Sequence, residues 1–367
     1  MKASLIEPDS HHWSRVLSEV DHDFNHLSGF TALSARKEKG EPIAFFAEEE
    51  DSRFLVPLIA RRLGTAGFPE KGPFMDATSA YGYPGPLLRT KLVQDSRFLN
   101  RALHAFINKL RERDIVAAFV RLHPILVVPL EALTHVGRVV RHGDTVSVDL
   151  TLSDEEIWRQ TSGFHRRAIE RAKRHGYVAR MDERWQHFDT FVEIYYQTMR
   201  RVGAGEFYYF SDEYLADLRE ILGDRLRLCV VEFEGQVAAA GLVTEMCGIV
   251  QIYLAGTREE FLPYSPAKTM ENFVRYWAKG RRNRFFHLGG GVNGRNDSLF
   301  EYKAGFSHLR HPFFTWRVIS NEAAYWALVE DWEARAGVKA DGLDGFFPAY
   351  RKPLPAGKGP HEPPALT

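Results

Sequence analysis

HLGGGVNGRNDSLFEYKAGF, running from His287 to Phe306, decides how the rest of the chain is read. Phe285 to Leu288 has the composition of a short buried strand, and Gly289, Gly290 and Gly291 break it. Glycine lets a backbone pass close to a ligand and take positive φ without penalty. Asn296, Asp297 and Ser298 offer an N-cap for a short helix starting near Leu299, which carries Tyr302 and Lys303. Strand, glycine loop and helix thus deliver one lysine to the mouth of a loop. Such a unit is either a βα turn with a solvated lysine or a cation aimed at a developing negative charge.

Working outward, 367 residues exceed one ordinary core and predict two domains. A hydrophobic fraction of 44% beside 26% charged residues predicts a soluble globular chain. Lysines plus arginines equal aspartates plus glutamates at 48 each, which argues against a generic polyanion binder and leaves nucleic-acid contact to local basic patches. Cys229 and Cys247 form neither a disulfide framework nor a zinc set and read as reduced thiols. No apolar run spans a bilayer, and MKASLIEPDSHHW has no signal-peptide core, so a cytoplasmic protein is expected. His11-His12 and His308/His311 lack metal-ligand company, and no G-x-S-x-G elbow occurs, so neither a metal nor a serine nucleophile is expected.

In chain order, apolar spacing predicts a helix over 13–27, then a basic turn with Arg36 and Lys37, and an antiparallel hairpin over 42–48 and 53–61. A loop over 76–88 holds Tyr81 and Tyr83 beside glycines; they line a cleft or pack a loop. A helix over 96–114 and strands over 115–122 and 139–150 complete the first half. The second opens at Thr151 with the capping box Ser153/Glu156. FHRRAIERAKRH, 164–175, is the most basic stretch, carrying Arg166, Arg167, Lys173 and Arg174: a nucleic-acid contact or a solvated, salt-bridged face. GAGEFYYF, 203–210, is an aromatic loop. Strands over 226–234, 236–246 and 249–256 form an antiparallel meander, and a helix over 263–279 leads back to the opening stretch. A strand over 313–319, a helix over 322–336 and a Pro- and Gly-rich tail follow. The two halves share an order of elements, which predicts two related α/β domains around a cleft, where ligand sites are favoured.

The second half resembles the non-ribosomal peptidyl-transferases of the FemX and FemABX type within the GNAT-like superfamily. The resemblance rests on RRAIERAKRHG, on YLAGT followed by YSPAKTMENFVRYWA, and on LGGG followed by DSLFEYKAGF, where the family typically has Phe-Lys at Tyr302-Lys303. YGYPGPL and RLHP add to it, so that it covers most of 76–306. It implies an α/β (α+β) fold of two tandem GNAT-like domains with a cleft between them. Domain 1 would span 1–150, completed by about 312–336; domain 2, carrying donor site and catalysis, would span 151–311; residues 337–367 would be a loosely ordered tail.

The implied activity moves an amino acid from aminoacyl-tRNA to an amine, forming an amide, on a peptidoglycan precursor or a specialised-metabolite peptide. It needs no ATP, metal or other cofactor; aminoacyl-tRNA is the co-substrate and a small peptide or amine the acceptor. The protein is expected to act as a monomer. By position Lys303 carries the family's catalytic lysine, with Tyr302 beside it. Where the family has a phosphate-binding lysine in the first domain, the match here is Arg36, with Lys37 adjacent; where it has an arginine in the loop matching 203–210, Tyr208, Tyr209 and Phe210 stand instead. The helical arm that some relatives carry after the basic helix is absent. Arg36, Lys37, Tyr81, Tyr83, Tyr208, Tyr209 and Tyr253 are thus expected at the acceptor. Arg166, Arg167, Lys173, Arg174, Lys279, Arg281, Arg282 and Arg284 are expected at the tRNA. The rival is a CoA-dependent GNAT N-acyltransferase, but GTREEFLPYSPAK lacks the R-x-x-G-x-G/A turn that holds a pyrophosphate. A non-catalytic GNAT-like binding module is the third reading.

Overall fold

The computed structural model describes residues 1–65, 74–90 and 96–355. These form a mixed α/β chain in two compact units, one of Met1–His142 with the described residues from Phe313 to Pro355, the other of Gly143–Pro312.

In the first unit, β1 (Lys2–Ile6), β2 (Glu41–Glu49), β3 (Ser52–Arg62) and β4 (Met75–Thr78) pair antiparallel in that order, and β5 (Leu87–Arg89) also pairs with β3. β6 (Ile115–Arg121) lies parallel to β4 and antiparallel to the strand that closes the unit, Leu309–Ile319. The expected hairpin is β2–β3, its register running from Glu41↔Ala60 to Glu49↔Ser52. The helix Ser96–Glu112 covers one face of this sheet and shares a core with Phe45, Phe54, Val120 and Trp316.

Several boundaries differ from the sequence expectation. The first helix covers only His11–Glu19, because the buried Asp23 accepts the Phe24 N–H and starts a separate turn. Arg36 and Lys37 sit in the last turn of the helix Ser28–Glu38, not in a turn beyond it. The loop expected over 76–88 carries β4 and β5 at its ends. The segment from Gly337 is expected to be loose, yet its stretch Phe347–Tyr350 is packed: Phe347, Ala349 and Tyr350 are buried against Tyr325 and Trp332. Arg351 is paired with the buried Asp76. The remainder of that expected tail, 356–367, lies outside the described residues.

In the second unit, β7 (Arg138–Asp149) pairs antiparallel with β12 (Phe285–Gly289), which runs parallel to β11 (Ile249–Thr257). Then β10 (Gln236–Met246), β9 (Leu226–Phe233) and β8 (Val178–Met181) continue antiparallel from β11. The meander is therefore present, with β8 added at its edge. β10 is buried along nearly its whole length, and its Ala238, Ala239 and Ala240 leave room for covering helices. The capping box forms: Glu156 N–H donates to Ser153 Oγ at 3.2 Å, and Ser153 N–H donates to Glu156 Oε2 at 2.9 Å. The helix expected from Pro263 starts at Pro266; Glu259–Tyr264 is a separate 3₁₀ turn, and Ser265 between them is left-handed at φ 54°. Proline at the first helical position bars its predecessor from the helical region.

The candidate active site around Lys303

β12 ends at Gly289 with φ 76°. Two residues later, a Cβ on Gly291 would lie 2.1 Å from the Arg295 carbonyl oxygen and 2.4 Å from Asp297 Oδ1, so only glycine closes this loop. Asp297 caps the helix Ser298–Ala304 by accepting the Phe300 N–H at 2.9 Å, and its other oxygen accepts the Val292 N–H at 2.8 Å. One carboxylate thereby fixes both the loop and the start of the helix. Burial pushes that carboxyl up, but the backbone N–H groups of Phe300 and Val292 hold it below the usual range.

Lys303 occupies the last turn of this helix and reaches back to donate to the Gly290 carbonyl at 2.6 Å. The expected unit of strand, glycine loop and lysine is therefore one closed ring of contacts. Burial pushes the Lys303 ammonium down to about 8, against the opposing pull of Glu271 and Asp297. At neutral pH it is still mostly protonated.

The helix Pro266–Gly280 supplies the opposite wall. Its Lys268, Glu271 and Arg275 share one face by their spacing. Burial raises the Glu271 carboxyl to about 7, although Tyr302, Lys303, Lys268 and Arg275 all pull it the other way. Burial and Glu271 together raise the Tyr302 hydroxyl well above its ordinary value. The Tyr302 hydroxyl and Glu271 Oε2 are both sealed from solvent, and neither makes a hydrogen bond of good geometry, although each lies close enough to shift the other's titration. The Lys268 ammonium stands 5.0 Å from the Tyr302 ring centre and 5.2 Å from that of Phe164, whose side chain is 65% exposed. The fully buried Arg275 donates to Thr161 Oγ1 at 2.7 Å and Asn272 Oδ1 at 2.6 Å. His165 Nε2 lies 2.8 Å from the Tyr302 carbonyl; a carbonyl only accepts, so the proton is on Nε2. Gly305 must lack a Cβ here, since one would fall 2.5 Å from the His165 ring.

The ladder between β11 and β12 covers only Ile249↔Phe285 to Gln251↔His287, after which β12 turns into the glycine loop while β11 continues to Thr257. Lys303 therefore stands at the carboxyl end of the parallel pair, a favoured ligand position in α/β sheets. Beyond β11, the Phe261 and Ser265 N–H groups are spent on Arg258 and Leu262 carbonyls, and Lys268 N–H on Ser265. This turn also exposes Glu259 and Glu260.

The other expected residues fall as follows. Tyr208 and Tyr209 belong to or follow the 3₁₀ turn Glu206–Tyr208; the Tyr208 carbonyl accepts the Tyr195 hydroxyl at 2.7 Å, and Tyr209 stacks on Tyr196. Tyr253 shares a hydroxyl contact with Tyr214 at 3.0 Å, and both rings flank Phe210, so these tyrosines form one aromatic cluster. In the first unit, Lys37 is partly buried and burial pushes its ammonium down to about 8, while Arg36 beside it is exposed. Tyr81 is exposed beside Arg121, and Tyr83 packs edge-on against His123 and Phe313. Of the basic set, Arg167, Lys173, Arg174 and Arg282 are exposed and make no ion pair among the described residues. Arg166 donates to the Trp158 carbonyl, Lys279 pairs with Asp154 and Arg281 with Glu245, while the Arg284 guanidinium lies against Cys247.

Sequence reading missed Glu271, Lys268, Arg275 and His165. The available signal was three charges at helical spacing on a face that also carries Met270, Val274 and Ala278, since charge on a core face has to be accounted for.

The sequence model of the acetyltransferase (GNAT) domain matches residues 159–304, a stretch that holds Lys303, Tyr302, Glu271, Lys268, Arg275 and His165. No curated protein matches the sequence significantly. Among solved structures, FemX superposes with a TM-score of 0.68 at 13% identity, covering 89% of this chain and 99% of its own. The C-terminal domain of a putative lysylphosphatidylglycerol synthetase from Agrobacterium fabrum gives 0.53 at 14%, covering 91% and 98%. L-PGS from Bacillus licheniformis gives 0.53 at 14%, covering 86% and 94%. No helix among the described residues is long and apolar enough to cross a membrane. The protein thus has the fold of FemX, and its residues 159–304 match the acetyltransferase (GNAT) domain.

Proposed function

We propose that this protein transfers an aminoacyl group from aminoacyl-tRNA to an amine, forming an amide. The amine nitrogen attacks the ester carbonyl, the carbonyl oxygen takes up negative charge, the C–O bond to the ribose breaks, and the ribose hydroxyl leaves with a proton. The observation that carries this reading is the Lys303 ammonium, desolvated, still mostly charged at neutral pH, and fixed by Gly290 at the end of β12. A preorganised cation in a site screened from water acts where charge develops. Tyr208, Tyr209 and Tyr253 would offer the acceptor aromatic faces.

The donor side rests on the exposed Arg167, Lys173 and Arg174 of the helix Gly163–Arg174. Such contacts release counterions, so tRNA affinity should fall steeply with salt. Reversing these three charges should weaken tRNA binding in a filter or fluorescence assay and flatten its salt dependence; unchanged binding would make the helix a solvated face.

A second reading, transfer from acetyl-CoA, is favoured by the acetyltransferase family match. Against it stand the 3₁₀ turn after β11, where the N–H groups of Phe261 and of the capping Ser265 are spent on local carbonyls, and the carboxylates of Glu259 and Glu260, which would face a pyrophosphate. Offering charged tRNA pools and acetyl-CoA separately, with mass spectrometry of candidate amines, decides between them. Aminoacylated product from tRNA alone is expected; acetylated product alone would overturn the proposal.

A further inference from the structure

We propose that Glu271 is the proton acceptor of the transfer and is reached through the Tyr302 hydroxyl. The inference rests on the amine-acceptor reading above and adds the route of the proton. An amine is largely an ammonium at neutral pH and cannot attack until it loses a proton. In the step proposed, the ammonium gives that proton to the Tyr302 oxygen as the Tyr302 hydroxyl passes its own to Glu271. The C–N bond then forms from the freed lone pair, and Glu271 is left as a neutral carboxylic acid.

Two geometric observations lead here. Glu271 Oε2 and the Tyr302 hydroxyl are sealed from solvent within reach of each other, and neither makes a hydrogen bond of good geometry. A buried polar atom without a well-formed hydrogen bond is costly and calls for an explanation, and a catalytic role is one that fits a pair able to pass a proton. Moreover, the groups facing Glu271 are Tyr302 and Lys303 from the short helix and Lys268 and Arg275 from its own, yet it makes no ion pair with any of the three cations. His165 and Arg171, on the helix Gly163–Arg174, act on the Lys268 and Tyr302 side of the cluster. Asp76, a fully buried carboxyl, is the contrast: two arginines grip it and hold it below the usual range. Glu271 is left ready to change charge near neutrality, whereas Asp76 is locked. Titratable neighbours that hold separate values are how one site divides acid and base duties.

The test is the pH profile of single-turnover rate in the full chain, with whichever donor supports turnover. In the wild type, activity should require ionised Glu271 and protonated Lys303, giving limbs near 7 and near 8. Glu271→Gln should lower the rate by about 10²–10⁴ and abolish the limb near 7. The residual rate should rise with pH until Lys303 loses its proton. Tyr302→Phe should reproduce that loss with acceptor KM nearly unchanged. A Glu271→Gln profile that still levels off near 7 and only moves the basic limb down would overturn the proposal, leaving Glu271 as counter-charge to Lys303.

A substrate-free measurement separates this from failure of the transferase reading. Infrared difference titration of wild type against Glu271→Gln, both checked for native melting, should show one carboxyl ionising near 7. A carboxyl ionising near the ordinary glutamate value of about 4.3 would overturn the proposal whatever the substrate. A carboxyl near 7 in a protein that accepts no aminoacyl donor would keep the proton site and reject the donor.

Discussion

Lys303→Ala is expected to lower the single-turnover rate by about 10²–10³ while leaving acceptor affinity nearly unchanged. The ester carbonyl is neutral in the ground state, so a nearby ammonium gains little there. In the tetrahedral state the oxygen carries close to a full charge, and a fixed cation then contributes about 2.7–4 kcal/mol. The site is built for this: the ammonium is anchored 2.6 Å from the Gly290 carbonyl, on a loop that Asp297 ties to the same helix. Lys303→Arg should rescue poorly, because a planar fork does not place its charge where an ammonium does. The measurement pairs single-turnover rate with acceptor affinity, plus melting to show that the loop survives. A large affinity loss at an unchanged rate would make Lys303 an acceptor anchor and remove it from the charge-stabilising role.

Asp76→Ala is expected to destabilise the first unit by about 3–5 kcal/mol, the usual cost of removing one partner from a buried ionic group. Asp76 is fully buried, 3.0 Å from Arg61 Nε and 2.5 Å from Arg351 Nε, and Arg61 also holds Glu38 at 3.0 Å. The carboxylate therefore joins β4, β3 and the turn Ala349–Arg351, and its loss strands two guanidiniums in a poorly hydrated place. Urea denaturation measures the effect; a loss below about 1 kcal/mol, as for an exposed pair, would show that Arg61 and Arg351 relax into solvent. Burial pushes the Asp76 carboxyl up, but Arg61 and Arg351 outweigh it and hold it below the usual range. A depressed folded-state value means the contribution is complete above the unfolded aspartate value of about 3.9 and is lost as pH falls through the folded one. Wild type should therefore lose stability in that acid range, and Asp76→Ala should lose less there.

The sequence by itself determined what neighbouring residues encode. The Ser153/Glu156 capping box, the β2–β3 hairpin, the β9–β11 meander and the strand, glycine loop and helix that carry Lys303 stand as read. Caps, turns and glycine backbones are fixed by a few adjacent residues, so their signal survives in a linear chain. Even there, starts and stops moved where a competing local interaction was not read, as when Asp23 ended the first helix early and Pro266 delayed a later one. The short, weakly patterned edge strands β1 and β8 went unread, since half-exposed strands lack the apolar alternation that marks a covered one. Tertiary structure alone decided which charges are buried. Arg351 meets Asp76 across 275 residues of chain, and Glu271 meets Tyr302 from a separate helix, so no spacing rule links them. It also decided that Lys279 and Arg281, basic like Arg167 and Arg174 in sequence, are bound to carboxylates while the latter remain exposed. The reason is that solvation and Coulomb partners belong to a location in space, and folding sets that location only after the local elements have packed.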